Sequence, residues 1–318
     1  NLINERRRLG IKCLAEAASL HGKISENHIY FGLGPRLNAA GRLEHASKSV
    51  ELLLAEDPKI AMGLAQELNR INSKRQDLGA VIKEEVFGLL DEEEIKQNKI
   101  ILLSGQGWHP GVIGIVAQQL VDTYYRPTVL VGVNDGVGRG SARSIEGFNI
   151  FELLDTCRDL FLDFGGHEAA AGFEIEPQNI SELKQRLENE VDQILDPEDL
   201  IAKVKIDLEI EPAQITLGLV KELERLAPYG EGNPEPVFMI KNLHLLDFKQ
   251  VGNDGRHLKL WFKKDGINLE VIGFGMGGMI KYLNYQKDYD IACTLETNEY
   301  QGFERVQLNL VDMREAKR

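Results

Sequence analysis

The apolar residues of this chain keep three different rhythms in three successive stretches. A chain so patterned has to fold as several kinds of layer, not as one repeated motif. Ile60, Leu64, Leu68, Ile71, Leu78, Ile82 and Leu89 recur at helical spacing. Asp57-Pro58, just before them, is a sound N-cap and first-turn pair. Unbroken to about Glu94, that helix would span roughly 55 Å at 1.5 Å per residue, the reach of a connector between domains. From Lys99 the rhythm changes. A short apolar run at 100–103, a Gly-rich loop, a helical pattern at 112–120 and a second run at 128–131 predict a βαβ unit of a buried parallel sheet.

Alternation continues with a strand at 138–144, a helix at 150–160, a strand near 173–175 and a helix at 180–195. Asp196-Pro-Glu-Asp199 then reads as a linker. Past about residue 203 a helix at 215–226 precedes short strands at 237–248, 257–262, 267–274, 290–296 and 306–311, with Lys264-Asp-Gly266 as a hairpin turn. Five strands in about 80 residues suit a small barrel such as an OB-fold. Upstream, helices are expected at 6–19 and 46–56, with the stretch from Phe31 to Arg42 between them read as a glycine-punctuated loop. There is no internal repeat.

A length of 318 residues allows two or three domains. No apolar run approaches the roughly 20 residues of a membrane span, and no signal-peptide pattern opens the chain. Starting at Asn1, the chain reads as an excised piece of something larger. Cys13, Cys157 and Cys293 form no Cys-x-x-Cys pair, which argues against a zinc ribbon or disulfide framework and suits a reducing cytoplasm. The net charge of −13 by itself opposes nucleic-acid binding, yet residues 1–80 hold 12 Lys+Arg against 9 Asp+Glu. A local basic groove remains open to an acidic protein.

Several short motifs carry chemistry. Gly107-Trp-His-Pro-Gly-Val-Ile-Gly114 joins a strand to a helix, where free N–H groups and the helix dipole favour an anion; a tight βα turn without a ligand reads the same. In Arg139-Gly-Ser-Ala-Arg143, strand period puts Arg139, Ser141 and Arg143 on one face, a phosphate-binding row or a solvated edge strand. No acidic residue lies nearby in sequence until Glu146. Gly165-Gly166, two flexible glycines that permit close backbone approach to a ligand, come just before His167, a proton carrier or a structural imidazole. Asn72, Arg75, Gln76 and Gly79 form a polar helix stripe, either a solvated face or a holder of phosphates and sugars.

In this order the motifs Gly34-Pro-Arg-Leu-Asn-Ala-Ala-Gly-Arg42, Asn72-x-x-x-Gln76, Gly107-Trp-His-Pro-Gly-Val-Ile-Gly114, Gly140-Ser-Ala-Arg-Ser144, Gly165-Gly-His-x-Ala-Ala-Ala-Gly172 and Pro228-Tyr-Gly-Glu-Gly-Asn-Pro-Glu-Pro236 resemble RecJ exonucleases of the DHH phosphoesterase superfamily. Asn298-Glu-Tyr-Gln-Gly302 adds to the likeness. The resemblance implies an α/β protein: a remnant of the DHH catalytic domain (1–57), a connector helix (58–95), a DHH-associated α/β domain with a mixed sheet (96–198) and an OB-fold-like barrel (199–318). It implies 5′-to-3′ hydrolysis of single-stranded DNA in repair and recombination, in the cytoplasm and away from membranes. Mn²⁺ or Mg²⁺ would serve the complete enzyme, and the partners would be single-stranded DNA, single-stranded-DNA-binding protein and a repair helicase.

In such enzymes the metals sit on Asp and His motifs upstream of the Gly-Pro-Arg segment. Here no Asp-His-His occurs, so no metal ligand is assigned and none is expected to be held by this chain alone. By resemblance, His167 is catalytic and lies against the reacting phosphate. Ser141 and Arg143 hold the 5′ end. Arg42, Arg75 and Gln76 touch the strand's backbone, and Arg139, Gly165 and Gly166 complete the interface. Trp261 and Tyr300 are candidate stacking aromatics, Trp261 reading more readily as packing. Two other classes stay open: a binding module without catalysis, and an alanyl-tRNA-related editing protein. The latter shares Gly-Gly-His but lacks the Arg-Gly-Ser-Ala-Arg strand and the barrel.

Overall fold

The computed structural model describes residues 3–5, 8–252, 254–300 and 302–317, without the side chains of Glu92 and Tyr300. Arg6, where the first helical pattern starts, and the Tyr300 ring and Gln301 of the last motif lie outside them. The chain divides after Ala202 into two units.

The first unit opens with helices α1 (Leu9–Ala17), α2 (Gly34–Leu43) and α3 (Ser47–Leu54), packed on the long α4 (Pro58–Leu89). Asp57 caps α4 as expected, its carboxylate accepting from the N–H groups of Lys59 and Ile60. The two halves of α4 serve two cores. Ala61, Ala65, Leu68 and Ile71 close the helical core, whereas Ile82 and Val86 pack under α6. The helix ends sooner than its pattern suggests, because Leu90 and Asp91 are extended and Asp91 caps a separate α5 (Glu92–Gln97).

The stretch from Phe31 to Arg42 is helical, not a loop. A π-helical turn (His28–Leu33) runs straight into α2. Pro35 sits in the first turn of α2, just past the π-helical turn, and Ala39 and Ala40 are buried.

The predicted βαβ unit is present. Strands β1 (Ile101–Gln106) and β2 (Thr128–Asn134) are parallel, joined by α6 (Pro110–Tyr124). Next come β3 (Val137–Arg143), α7 (Ile150–Asp155), β4 (Phe161–His167), β5 (Ala170–Ile175) and α8 (Ile180–Ile194). The mixed sheet has the order β1-β2-β3-β5-β4. Thus β3 is an interior strand, which removes the edge-strand reading of its arginines. Helix α6 packs on β2 and β3 from one side, while α7 and α8 bury Phe173, Ile175 and Ala142 from the other.

The second unit starts with β6 (Leu208–Glu209) and α9 (Leu217–Leu223), the latter capped by Thr216. Strands β7 (Phe238–Val251), β8 (His257–Lys264) and β9 (Ile267–Gly273) form an antiparallel meander, followed by β10 (Asp288–Tyr300) and β11 (Phe303–Glu315). Parallel pairing of β11 with β9, and pairing of β10 with both β11 and β7, closes a five-stranded barrel of OB-fold topology. Asp265 and Gly266 both take left-handed φ, 51° and 80°, as a tight hairpin turn requires. Alternation on β8 sends Leu258, Leu260 and Phe262 inward.

Candidate nucleic-acid interface

Strand register assembles the site. Arg143 of β3 lies opposite Ala170 of β5, which lies opposite His167 of β4; one step along, Ser141, Gly172 and Gly165 form the same row. Directly opposed residues share a sheet face. Arg143, Ser141, Gly165 and His167 therefore line one face, and the two glycines leave its floor bare. Gly140, Phe173 and Phe164 alternate to the other side, where the core sits.

The Gly165-Gly166 pair is strand, not a flexible loop. A Cβ at Gly166 would lie 2.5 Å from the Ala170 carbonyl, so glycine there permits tight strand pairing, whereas at Gly165 the space is open. His167 is exposed, and its Nδ1 accepts the Ala169 N–H at 3.3 Å. That bond places the ring proton on Nε2 and leaves Nε2 uncommitted.

Arg143 passes beside α6. Its Nη1 donates to the Ala142 carbonyl at 2.6 Å and to Ser141 Oγ at 3.2 Å. A Cβ at Gly114 would lie 2.7 Å from both Arg143 Nη2 and Ser141 Oγ, so a larger residue there would displace the guanidinium from its present position. One turn earlier on α6, a Cβ at Gly111 would overlap the Arg42 carbonyl. Arg42, in the last turn of α2, donates back to the Gly111 carbonyl at 3.3 Å. The glycines of this motif thus serve helix packing. The motif is no phosphate cradle: Pro110 has no N–H, Gly111 N–H is taken by His109 Nδ1, and the Val112 and Ile113 N–H groups by the His109 carbonyl.

Arg75 approaches from α4. Its Nη2 donates to Asn72 Oδ1 at 3.0 Å, while its Nε is buried without a partner. Asn72 is only 2% exposed, so the polar stripe is not simply a solvated face. Gln76 is exposed beside it. Burial depresses the pKa of both Arg75 and Arg143, and the charge of Arg42 depresses each further. Arg42 therefore repels each of the two half-buried guanidiniums. Among the described residues no carboxylate pairs with any of them.

Arg139 differs. Its Nε meets Glu174 Oε1 at 2.7 Å across the strand pair, so it does have an acidic partner. That neighbour is distant in sequence and becomes visible only through register. The packing role of Gly111 was also missed; its place three residues before Gly114 on one helix face was the available signal. On the barrel, Trp261 faces outward, half-buried, with the Lys249 and Lys259 amines each 5.3 Å from its ring. Its Nε1 donates to Glu270 Oε2 at 3.2 Å, so the ring packs on the barrel's outer surface while β8 turns its leucines and Phe262 inward. Among the described residues no three His, Cys, Asp or Glu side chains gather as metal ligands would. No described helix is long and apolar enough to cross a membrane.

A mixed α/β sheet with a Gly-Gly-His strand, followed by an OB-type barrel, is the architecture of a DHH-associated domain joined to an OB domain. The DHHA1 domain family matches residues 97–193, and the RecJ OB domain family matches residues 206–312. The chain is 34% identical to the single-stranded-DNA-specific exonuclease RecJ of Bacillus subtilis, over 98% of this chain and 40% of that protein. It is 32% identical to the Escherichia coli protein of that name, over 95% of this chain and 54% of the other. The crystal structure of Thermus thermophilus RecJ in complex with Mn²⁺ superposes with a TM-score of 0.84 at 31% identity, covering 99% of this chain and 45% of that one. The chain belongs to the RecJ family, and it spans about half the length of the relatives it matches.

Proposed function

We propose that this chain is the strand-guiding part of a 5′-to-3′ single-stranded-DNA exonuclease of repair and recombination. The observation that carries the reading is the convergence of Arg42, Arg75 and Arg143, from three separate elements, with no described carboxylate to neutralise them. Arg75 and Arg143 are half-buried and Arg42 is exposed beside them; cations gathered without a counter-charge call for an anion, and a phosphate backbone supplies several at once.

In this reading Arg143 and Ser141 hold the terminal phosphate over the bare floor at Gly165. His167 donates its Nε2–H to a phosphoryl oxygen or passes that proton to the leaving oxygen. Arg42, Arg75 and Gln76 track the strand, with Arg139 and Gly166 framing the row, and Trp261 between its lysines stacks a base on the barrel.

Thermus thermophilus RecJ has been solved with Mn²⁺ and with Mg²⁺. In this reading the ligands of such an ion are Asp and His motifs of the kind RecJ enzymes carry upstream of the Gly-Pro-Arg segment, which this sequence does not contain. When bound, the ion supplies an activated water and neutralises phosphate charge. By itself the chain would bind DNA without cutting it. Docking of single-stranded-DNA-binding protein or a helicase belongs to the same proposal, as does the division at 57, 95 and 198.

Fluorescence anisotropy with a short oligothymidylate tests the reading. Affinity should fall between about 50 and 200 mM salt, with a log–log slope near −2 if three phosphates are engaged. A flat salt profile, or equal affinity for duplex, would overturn it.

A further inference from the structure

The hairpins of this chain do not all turn alike. Asp135-Gly136, between β2 and β3, takes left-handed φ at both positions, 51° and 78°, as Asp265-Gly266 does between β8 and β9. That hand matches the twist of the strands it joins. Glu168-Ala169, between β4 and β5, takes it at neither position. A two-residue turn of the other hand splays its strands, so it does not close them unaided. Yet this turn follows His167 directly. Among the described residues the Ala169 N–H is the hydrogen-bond partner of that exposed ring, and no other is found.

Closure comes from outside the hairpin. The Ser144 N–H donates to the Ala169 carbonyl and the Ile150 N–H to the Glu168 carbonyl, both at 3.0 Å. These two donors are the ends of one loop. Ile145 and Phe148 sink into the sheet core, Gly147 turns the chain with a φ of 79°, and Asn149 caps α7. Ser144 Oγ shuts the loop by donating to the Phe148 carbonyl at 2.6 Å. One hydroxyl therefore sets how far apart the two amides stand. The Ser144 amide also belongs to the peptide that follows Arg143, so its bond to Ala169 ties the Arg143 and His167 ends of the row together beyond their strand register.

We infer that Ser144 is a positioning residue for His167. Its hydroxyl closes the 144–149 loop, the loop holds the Glu168-Ala169 turn, and the turn fixes the ring with its proton on Nε2. That this positioning serves the reaction rests on the role of His167 proposed above.

NMR on the 318-residue chain tests it. Relaxation of the histidine rings shows whether His167 keeps one rotamer, ring nitrogen shifts show which nitrogen holds the proton, and His167→Gln assigns the signals. Wild type should keep one rotamer with the proton on Nε2. Ser144→Ala should average the rotamers and mix the tautomers, and Ser144→Thr, which keeps the hydroxyl, should restore both. Val191→Ala, a cavity in the same core, should lower the melting temperature and leave the ring alone. In the complete enzyme Ser144→Ala should lower kcat by about 10- to 100-fold with KM unchanged. An unmoved ring in Ser144→Ala, equal disorder in Val191→Ala, or a ring already averaged in wild type overturns the inference. Should Ser144→Ala not fold, Asn149→Ala loosens the other end of the loop, and an unmoved ring there overturns it equally. A disordered ring with unchanged kcat keeps the positioning and overturns the reading of His167 instead.

Discussion

Replacing Arg143 with alanine should move stability and binding in opposite directions. The guanidinium is half-buried on an interior strand and, among the described residues, bonds only within that strand, to Ala142 O and Ser141 Oγ. Burial, and then the charge of Arg42, depress its pKa, so the free protein carries this charge at a cost. Alanine removes that cost and leaves the backbone pairing with Thr128 and Ala170 in place. The melting temperature should therefore hold or rise, by about 2–4 °C if the relief is on the order of 1 kcal/mol. Binding should suffer, since hydrogen bonds to a charged group contribute roughly 1.5–3 kcal/mol. That corresponds to about 10- to 150-fold in Kd. The salt slope should become shallower by about 0.7, one phosphate contact on a single strand. Anisotropy on 5′-phosphorylated and 5′-hydroxyl strands, paired with thermal melts, reads all of these. A loss confined to the 5′-phosphate strand places Arg143 at the strand end, and an equal loss on both places it on the backbone. Unchanged affinity with a lower melting temperature would make Arg143 a structural strut and refute the anion-binding argument.

Two further outcomes follow from local geometry. Gly140→Ala would drive a Cβ into the Phe173 ring, and overpacking of this kind costs about 1–3 kcal/mol; denaturant titration should show the loss, and a variant as stable as wild type would mean the ring can yield. His109 is held below its ordinary 6.5 by burial and then by Lys74, and its Nδ1 must stay unprotonated to accept the Gly111 N–H. The unfolded chain takes up this proton more readily than the folded one, so stability is full above about pH 6.5 and falls as pH drops toward the folded pKa. His109→Asn keeps a capping acceptor and should flatten that acid-side decline in thermal melts; an unchanged decline would assign it to other groups.

Element types were legible because their signals are local. The α4 rhythm with its Asp57 cap, the βαβ run and the five alternating strands around Asp265-Gly266 are each written within a few neighbouring residues. Glycine misled where its role is tertiary. Gly34 reads as a break but fits a wide helical turn, and Gly166 reads as flexible but lets two strands close. The arginine row on β3 was readable from strand period, yet the partner of Arg139 was not, since Glu174 lies across a strand pair. Nor was the gathering of Arg42, Arg75 and Arg143, which depends on Gly111 admitting α2 to the surface of α6 and on Gly114 leaving room there for the Arg143 side chain. Periodicity and turn chemistry act through the backbone over one or two turns, so the sequence alone determines which elements form. A charge acts on whatever stands a few ångströms away, and only helix packing and strand register decide what that is.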